Sequence, residues 1–348
     1  MKRLGKLQRR LVSLGPEDLV QRGESGGETG GALPEVLRPK VDGVDLEGWA
    51  SEHRTLVESW LHRSGALLFR GFGARSPESF ESVITRVSGE PVPYRERSTP
   101  RRHIAGRIYS STEYPPSQPI FLHNENSYQA VFPRKLFFYC AEPAPVGGRT
   151  PLADVRKIYR RIPQEIREKF ADKQVKYVRN LGSDVGLSWQ EVFQTEERSE
   201  VDVYCHRRAI TAEWKSSGRL RLSSVLPAIV HHPATGEPVW FNHAAFFHVS
   251  TLPSPIREAV EEAFDEEDYP SNTYYGDGAA IEPSVLEVLR AAYVQERVAF
   301  QWEEGDLLMV DNLLTAHGRE PFEGPRRIWT GMAEPSVRRG AMVVPDSG

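Results

Sequence analysis

Apolar positions along this chain fall first into helical and then into strand-like spacing. From Asp45 to His62, Leu46, Trp49, Ala50, Leu56, Val57, Trp60 and Leu61 recur three and four residues apart, which predicts an amphipathic helix. Gly65 ends it, and Ala66 to Phe72 reads as a buried strand. Pro77 to Val87 repeats the helical stripe with Phe80, Val83, Ile84 and Val87. Shorter runs then predict strands over 103–111, 119–125, 135–142, 174–180, 222–232, 238–243, 301–311 and 326–333. Helices are expected over 163–172, 188–193, 255–264 and 283–298, and Pro233 to Pro238 reads as a hairpin turn. Many strands joined by long excursions predict a mainly β chain, a jelly roll decorated with helices.

Two sections lack periodicity. Residues 21–32 are rich in Gly, Glu and Ser, which predicts a flexible N-terminal tail over 1–32 and a single folded domain over 33–348. Residues 183–224 are polar and turn-rich, the pattern of a lid or binding loop.

Composition narrows the class. Hydrophobic residues make up 39% of the 348, with 15 Phe, 12 Tyr and 7 Trp, enough for a sizeable core. A net charge of -4 gives no basic field for nucleic acid. No apolar stretch follows the basic residues Lys2, Arg3, Lys6, Arg9 and Arg10, and no apolar run reaches the ~18 residues of a membrane span. Only Cys140 and Cys205 are present, and nothing supports a bridge between them; a reducing, cytoplasmic setting is expected.

The chemistry concentrates in Phe121-Leu-His-Asn-Glu-Asn-Ser-Tyr128. In an extended strand, His123 and Glu125 point to the same face. Far downstream, the buried run Leu307 to Asp311 leads to His317 just past a strand end. Two His and one carboxylate make the facial triad of non-haem Fe(II) oxygenases. His-x-Glu alone is a weak signal, since a surface His beside a solvated Glu looks the same; Phe121, Leu122 and Tyr128 argue for burial. Arg326 and Arg327 open the next strand. Neighbours on a strand face opposite sides, so one points inward and must meet an anion, for which a carboxylate is the natural bidentate partner. Periodicity alone leaves open which one. The chain has no His-Glu-x-x-His, no Gly-rich phosphate loop with Lys-Ser/Thr and no Gly-x-Ser-x-Gly elbow.

Taken together, His123-x-Glu125, Gly147-Gly-Arg-Thr150 and Gly305-Asp-Leu-Leu…Asp311-Asn…His317-Gly-Arg…Arg326-Arg-Ile resemble the taurine dioxygenase/clavaminate synthase-like superfamily. The resemblance runs from about Ala66 to Ala333. The string His123 to Tyr128, with Ser111-Thr-Glu-Tyr-Pro115 and Trp240-Phe-Asn-His243, is similar to a branch of natural-product amino-acid hydroxylases. It implies a double-stranded β-helix (jelly roll, cupin-like) core flanked by helices, using Fe(II), 2-oxoglutarate and O2. His123, Glu125 and His317 would hold iron. Arg327 and Thr150 would hold 2-oxoglutarate. Arg101, Asn126, Asn242 and His243 are the candidates for substrate contact. The expected substrate is an amino acid or a derived unit, free or tethered to a carrier protein that Arg134, Lys135, Arg207, Arg208 or Arg219 would meet. Asp311 and Asn312 would orient the His317 loop. Gly331 stands where taurine dioxygenase has a substrate-contacting arginine, which argues against a sulfonate. Related halogenases lack the carboxylate, so Glu125 points to hydroxylation, with desaturation or cyclisation as the alternative. A non-catalytic metabolite-binding β-helix protein is the rival from another class.

Overall fold

The computed structural model describes residues 15–24, 33–73, 75–93, 96, 101–182, 186–215 and 218–339. The chain is mainly β with helices packed around the sheets. An eight-stranded sheet runs, in spatial order, Val20–Glu24, Glu35–Pro39, Ala66–Phe69, Leu307–Asp311, Val131–Glu142, Arg327–Val337, Ile108–Ser110 and His103–Ala105. Both of its faces are buried, which is why its central strands read as near-continuous apolar runs. Phe137, Tyr139, Leu307 and Met309 face outward onto Trp60, Phe80 and Ile84 of the amphipathic helices. Leu136, Cys140, Leu308, Ile328 and Met332 face inward onto Leu152, Phe300 and Trp302. Leu152 and Phe300 belong to a four-stranded sheet ordered Val298–Phe300, Thr150–Asp154, Thr315–Arg319 and Ile120–His123.

Many predicted elements form near their expected bounds; the strand expected over 301–311 is shortened to Leu307–Asp311, the unexpected helix Val155–Arg161 and strand Ser271–Tyr275 appear, and four further differences bear on the site or the ends of the fold. First, the helix expected over Asp45–His62 is two, Leu46–Glu52 and Arg54–Ser64, broken at His53. Second, strands Thr150–Asp154 and Thr315–Arg319 form where none was expected, and His317 lies inside the second.

Third, the expected flexible tail is ordered in part. Val20–Glu24 pairs with Glu35–Pro39, Val20 is buried in the core, and the Trp49 indole N–H donates to the Pro16 carbonyl at 3.2 Å. Its polar sequence suits an edge strand rather than a disordered one. Residues 1–14 and 25–32 lie outside the described residues.

Fourth, the section expected to be a lid contains helices Trp189–Phe193 and Arg198–Arg207 and strands Thr211–Trp214 and Leu220–Leu226. Trp189, Val192, Val201, Cys205, Leu220 and Leu222 give it a core of its own. The first of these helices was expected over 188–193; the signal of the second was hidden because it buries only Val201 and Cys205.

Cys140 and Cys205 are both buried free thiols, each pushed up to about 12 by burial. Among the described residues no helix is long and apolar enough to cross a membrane.

Candidate metal centre

The four-stranded sheet places the histidines. His317 is in direct antiparallel register with His123 on one side and Leu152 on the other. Residues opposite each other in such a pair project from the same face. The two imidazoles therefore meet, with ring centroids 4.5 Å apart. Thr150, two residues along from Leu152, shares that face. Gly318 makes the close pairing feasible, because a Cβ there would lie 2.6 Å from the Ile120 carbonyl oxygen.

Glu125 arrives differently from the expected i, i+2 strand geometry. The strand ends at His123, and Glu125 sits in the following turn, where Asn126 is left-handed at φ 54°. The turn is held from across the molecule by the buried Asn312. Its side-chain oxygen accepts from the Glu125 N–H at 2.8 Å, and its amide donates to the Glu125 carbonyl at 2.9 Å and the Pro133 carbonyl at 2.8 Å. Asp311 in turn accepts from the Leu313 and Leu314 N–H groups. So Asn312, expected to serve the His317 loop, fixes the backbone of the turn that carries Glu125. Glu125 Oε2 lies 4.0 Å from Nε2 of both His123 and His317.

These residues fit a divalent ion. Two metal–ligand bonds of ~2.0–2.2 Å can span donors up to about 4.4 Å apart. His123 Nδ1 is 2.8 Å from the Phe121 carbonyl oxygen, which can only accept. Nδ1 therefore carries the proton and Nε2 turns its lone pair toward Glu125. His317 Nδ1 is a buried nitrogen with no hydrogen-bond partner in the structure. Burial holds both histidines below their ordinary range, in the neutral form a metal requires.

A second His–His–Asp cluster, His62, His232 and Asp311, does not pass the same test. His232 Nδ1 accepts from the Ala234 and Thr235 N–H groups at 3.3 and 3.1 Å. Its proton is thus on Nε2 and is donated to Asp311 at 3.0 Å. Neither ring nitrogen keeps a lone pair for a metal, which leaves His232 a structural histidine buttressing the Asp311–Asn312 turn.

Arg101, Phe138, Thr150, Arg319, Arg326 and Ile328 line the space beside the triad, a cavity of about 40 Å³. Thr150 Oγ1 accepts from the Trp302 indole N–H at 2.9 Å, so its own hydrogen is available to donate. Of the three arginines here, Arg101 pairs with Glu125 and Arg319 donates to the Tyr114, Pro115 and Gln118 carbonyls, so Arg326 is the candidate for a ligand carboxylate. Arg327, expected there, points outward: its side chain is 70% exposed and its Nε donates to Glu142 at 2.6 Å. The reason is strand alternation, since Ile328 faces inward, Arg327 outward and Arg326 inward again. Arg326 Nε donates to the Gly148 carbonyl at 3.2 Å, and a Cβ on the left-handed Gly148 (φ +67°) would lie 3.2 Å from the arginine's stem. Burial, and then the neighbouring Arg319 charge, push Arg326 down to about 10, still cationic near neutral pH.

The substrate candidates separate. Arg101 is buried, and its Nη2 donates to Glu125 Oε2 at 3.0 Å. Asn126 contributes the left-handed turn. Asn242 was expected to face the pocket; instead its amide donates to the Ala228 carbonyl and its oxygen accepts from the Ala244 N–H, so both ends hold backbone. His243 lies behind His123, ring centroids 5.8 Å apart, with Nδ1 bonded to Ser127 Oγ. Sequence reasoning missed Phe246, which stacks on His123 at 4.9 Å with planes 8° apart. Gly331 faces the helix Pro77–Ser88, where a Cβ would strike Ile84. The inward-facing neighbour is Thr330, so no guanidinium stands there either. Lys135, offered for a carrier, is buried against Glu58 and Glu334.

Comparison with known proteins gives the family. Residues 30–332 match the taurine catabolism dioxygenase TauD, TfdA family. The chain is 39% identical to the dapdiamide synthesis protein DdaC of Enterobacter agglomerans over 300 residues, covering 86% of this chain and 91% of the relative. It is 30% identical to a clavaminate synthase-like protein of Arabidopsis thaliana, covering 80% and 84%. Among solved structures it is similar in fold to PvcB from Pseudomonas aeruginosa (TM-score 0.55, 17% identity, 96% and 98% covered). A taurine dioxygenase from Burkholderia xenovorans is similar as well (TM-score 0.52, 16% identity, 92% of each chain). The chain belongs to the taurine catabolism dioxygenase TauD, TfdA family of Fe(II)- and 2-oxoglutarate-dependent oxygenases.

Proposed function

We propose that this oxygenase hydroxylates an unactivated carbon of an amino acid or amino-acid-derived substrate, free or carrier-tethered, in natural-product biosynthesis. In this reading the eight- and four-stranded sheets are the two halves of a double-stranded β-helix. The observation that carries the proposal is the pair of histidines in register, with Glu125 4.0 Å from both and a buried guanidinium on the same pocket. His123, Glu125 and His317 hold iron. Arg326 takes the distal carboxylate of 2-oxoglutarate in place of Arg327, and the Thr150 hydroxyl donates to the same group. Bound ferrous iron supplies the chemistry that couples conversion of 2-oxoglutarate and O2 to succinate and CO2 with oxidation of the substrate. The chain's own part is to keep two imidazoles neutral, hold the carboxylate with Asn312 and Arg101, and keep the cavity dry. The biosynthetic setting draws on the relative named for dapdiamide synthesis and on PvcB, described as an oxygenase from an isonitrile synthetic pathway.

The test is succinate release by the Fe(II)-loaded enzyme with 2-oxoglutarate, O2 and a panel of free and carrier-loaded amino acids. Substrate-stimulated succinate with a product gaining one oxygen is expected. Stimulated succinate with a product losing two hydrogens would assign desaturation or cyclisation instead. No succinate under any condition would leave a binding protein.

A further inference from the structure

The cavity beside the triad, about 40 Å³, is small, and a larger one lies farther along the same sheet face. In the strand Ile108–Ser110 and its continuation, Tyr109 is in register with Thr330 and the Ser111 N–H donates to the Ile328 carbonyl at 2.8 Å. Tyr109 and Ser111 are two apart, so they share a face, roughly 6–7 Å apart along the strand. Ser111 lines the metal pocket. Tyr109 lines a cavity of about 640 Å³ between this strand and the helix Arg198–Arg207. That is inside the ~300–1,000 Å³ range of sites that enclose drug-sized ligands.

The helix presents one stripe to this space. Ser199, Val203 and Arg207 recur at four-residue spacing and line it with Glu200 and Tyr204, while Cys205 turns into the local core. The acidic floor is already neutralised: Glu96 pairs with Arg179 at 3.2 Å and accepts from the Tyr204 hydroxyl at 2.9 Å. Glu200 and Arg207 add one charge of each sign, and the rest is aromatic rings (Tyr109, Phe193), the Gln194 amide and small hydroxyls (Thr195, Ser199), a polar lining of balanced charge that suits a chain with amide groups.

We infer that this cavity binds the distal part of the enzyme's own substrate, an extended, amide-bearing amino-acid derivative whose reacting end reaches the triad past Arg101. The inference rests on the oxygenase reading and narrows its substrate class. It predicts that free amino acids are poor substrates because they leave the cavity unfilled.

The probes are free amino acids and their N-acyl and dipeptide-amide counterparts, tested with the full-length, Fe(II)-loaded protein. At least one extended compound is expected to raise succinate release fivefold or more over the substrate-free rate, and free amino acids are expected to fall short of this. Val203→Trp and Ser199→Trp, both at exposed helix positions, should each lower that stimulation at least tenfold, with the KM for 2-oxoglutarate within twofold of wild type. Stimulation by a free amino acid that survives both substitutions would overturn the inference, as would a panel in which no extended compound stimulates. The anaerobic visible band of Fe(II) with 2-oxoglutarate, recorded in every protein, separates the two failures. If wild type lacks it, the oxygenase reading fails; if it is present, only the cavity assignment does.

Discussion

Arg326 and Arg327 illustrate what a single residue's direction decides. Both are cationic and adjacent, yet one lines the metal pocket and the other pairs with Glu142 at the surface. A charge-assisted hydrogen bond contributes roughly 1.5–3 kcal/mol. Arg326→Ala should therefore raise the KM for 2-oxoglutarate roughly 10- to 100-fold, whereas Arg327→Ala should change it less than twofold. Steady-state kinetics on the two variants checks this, and the reverse pattern would restore the anchor to Arg327. Asn312 makes the companion case. Replacing it with Ala strands the Glu125 N–H, the Glu125 carbonyl and the Pro133 carbonyl in a buried site, each lost partner costing about 1–3 kcal/mol before relaxation. Iron affinity should fall roughly 10- to 100-fold as the carboxylate loses its support. Calorimetric titration with Fe(II) under argon would register the change, and unaltered affinity would show that the turn holds itself.

At the scale of elements, the site depends on strand pairing that the hydrophobic pattern conceals. Thr315–Arg319 is wholly buried, yet reads Thr-Ala-His-Gly-Arg, without the β-branched alternation that marks a strand. Its identity comes from tertiary pairing with Ile120–His123 and Thr150–Asp154. The longer apolar runs, Val131–Glu142 and Leu307–Asp311, were legible because they are buried on both faces. Which of the two arginines points inward was left open by periodicity, because Arg326 lies just before the strand Arg327–Val337 and the pairing register shifts between Arg327 and Ile328. Asn312's grip on Glu125, 187 residues away in the chain, has no local signal. Gly318 tests the pairing directly. A Cβ would meet the Ile120 backbone oxygen, which cannot swing aside as a side chain would. Gly318→Ala should separate the two histidine strands, abolish Fe(II) binding and cost about 1–3 kcal/mol of stability. Metal titration and urea unfolding would reveal it, and full metal affinity in a stable variant would contradict the register.

For the whole molecule, the two sheets enclose an interior that keeps several ionisable groups uncharged. Burial lowers His123, His243 and His317, and burial with the Arg290 charge brings His248 down to about 4. These groups stay neutral in the fold, but in the unfolded chain they take up protons below about pH 6.5. The unfolded state then binds more protons, so stability rises with pH across this window and is lost as pH falls from about 6.5 toward 4. His62, also lowered chiefly by burial, adds to them, while Glu96 and Asp306, pushed up by burial, work in the opposite direction, two groups against five. The urea midpoint of metal-free protein should thus be lower at pH 5.5 than at pH 7.5, and equal midpoints would mean the histidines are not buried neutral. Fold class and the three metal-ligand candidates were readable because they rest on strand count and short motifs. The helix Arg198–Arg207 and the cavity it walls were not, because they arise from packing between distant segments.

The central claim is that His123, Glu125 and His317 hold one ferrous ion beside a 2-oxoglutarate site. The most direct measurement is the anaerobic visible spectrum of the protein titrated with Fe(II) and then 2-oxoglutarate. Keto-acid chelation should give a weak band near roughly 500–530 nm, saturating at one iron per chain and absent in His317→Ala and Glu125→Ala. A wild-type protein without the band, or the same band in both variants, would contradict the account.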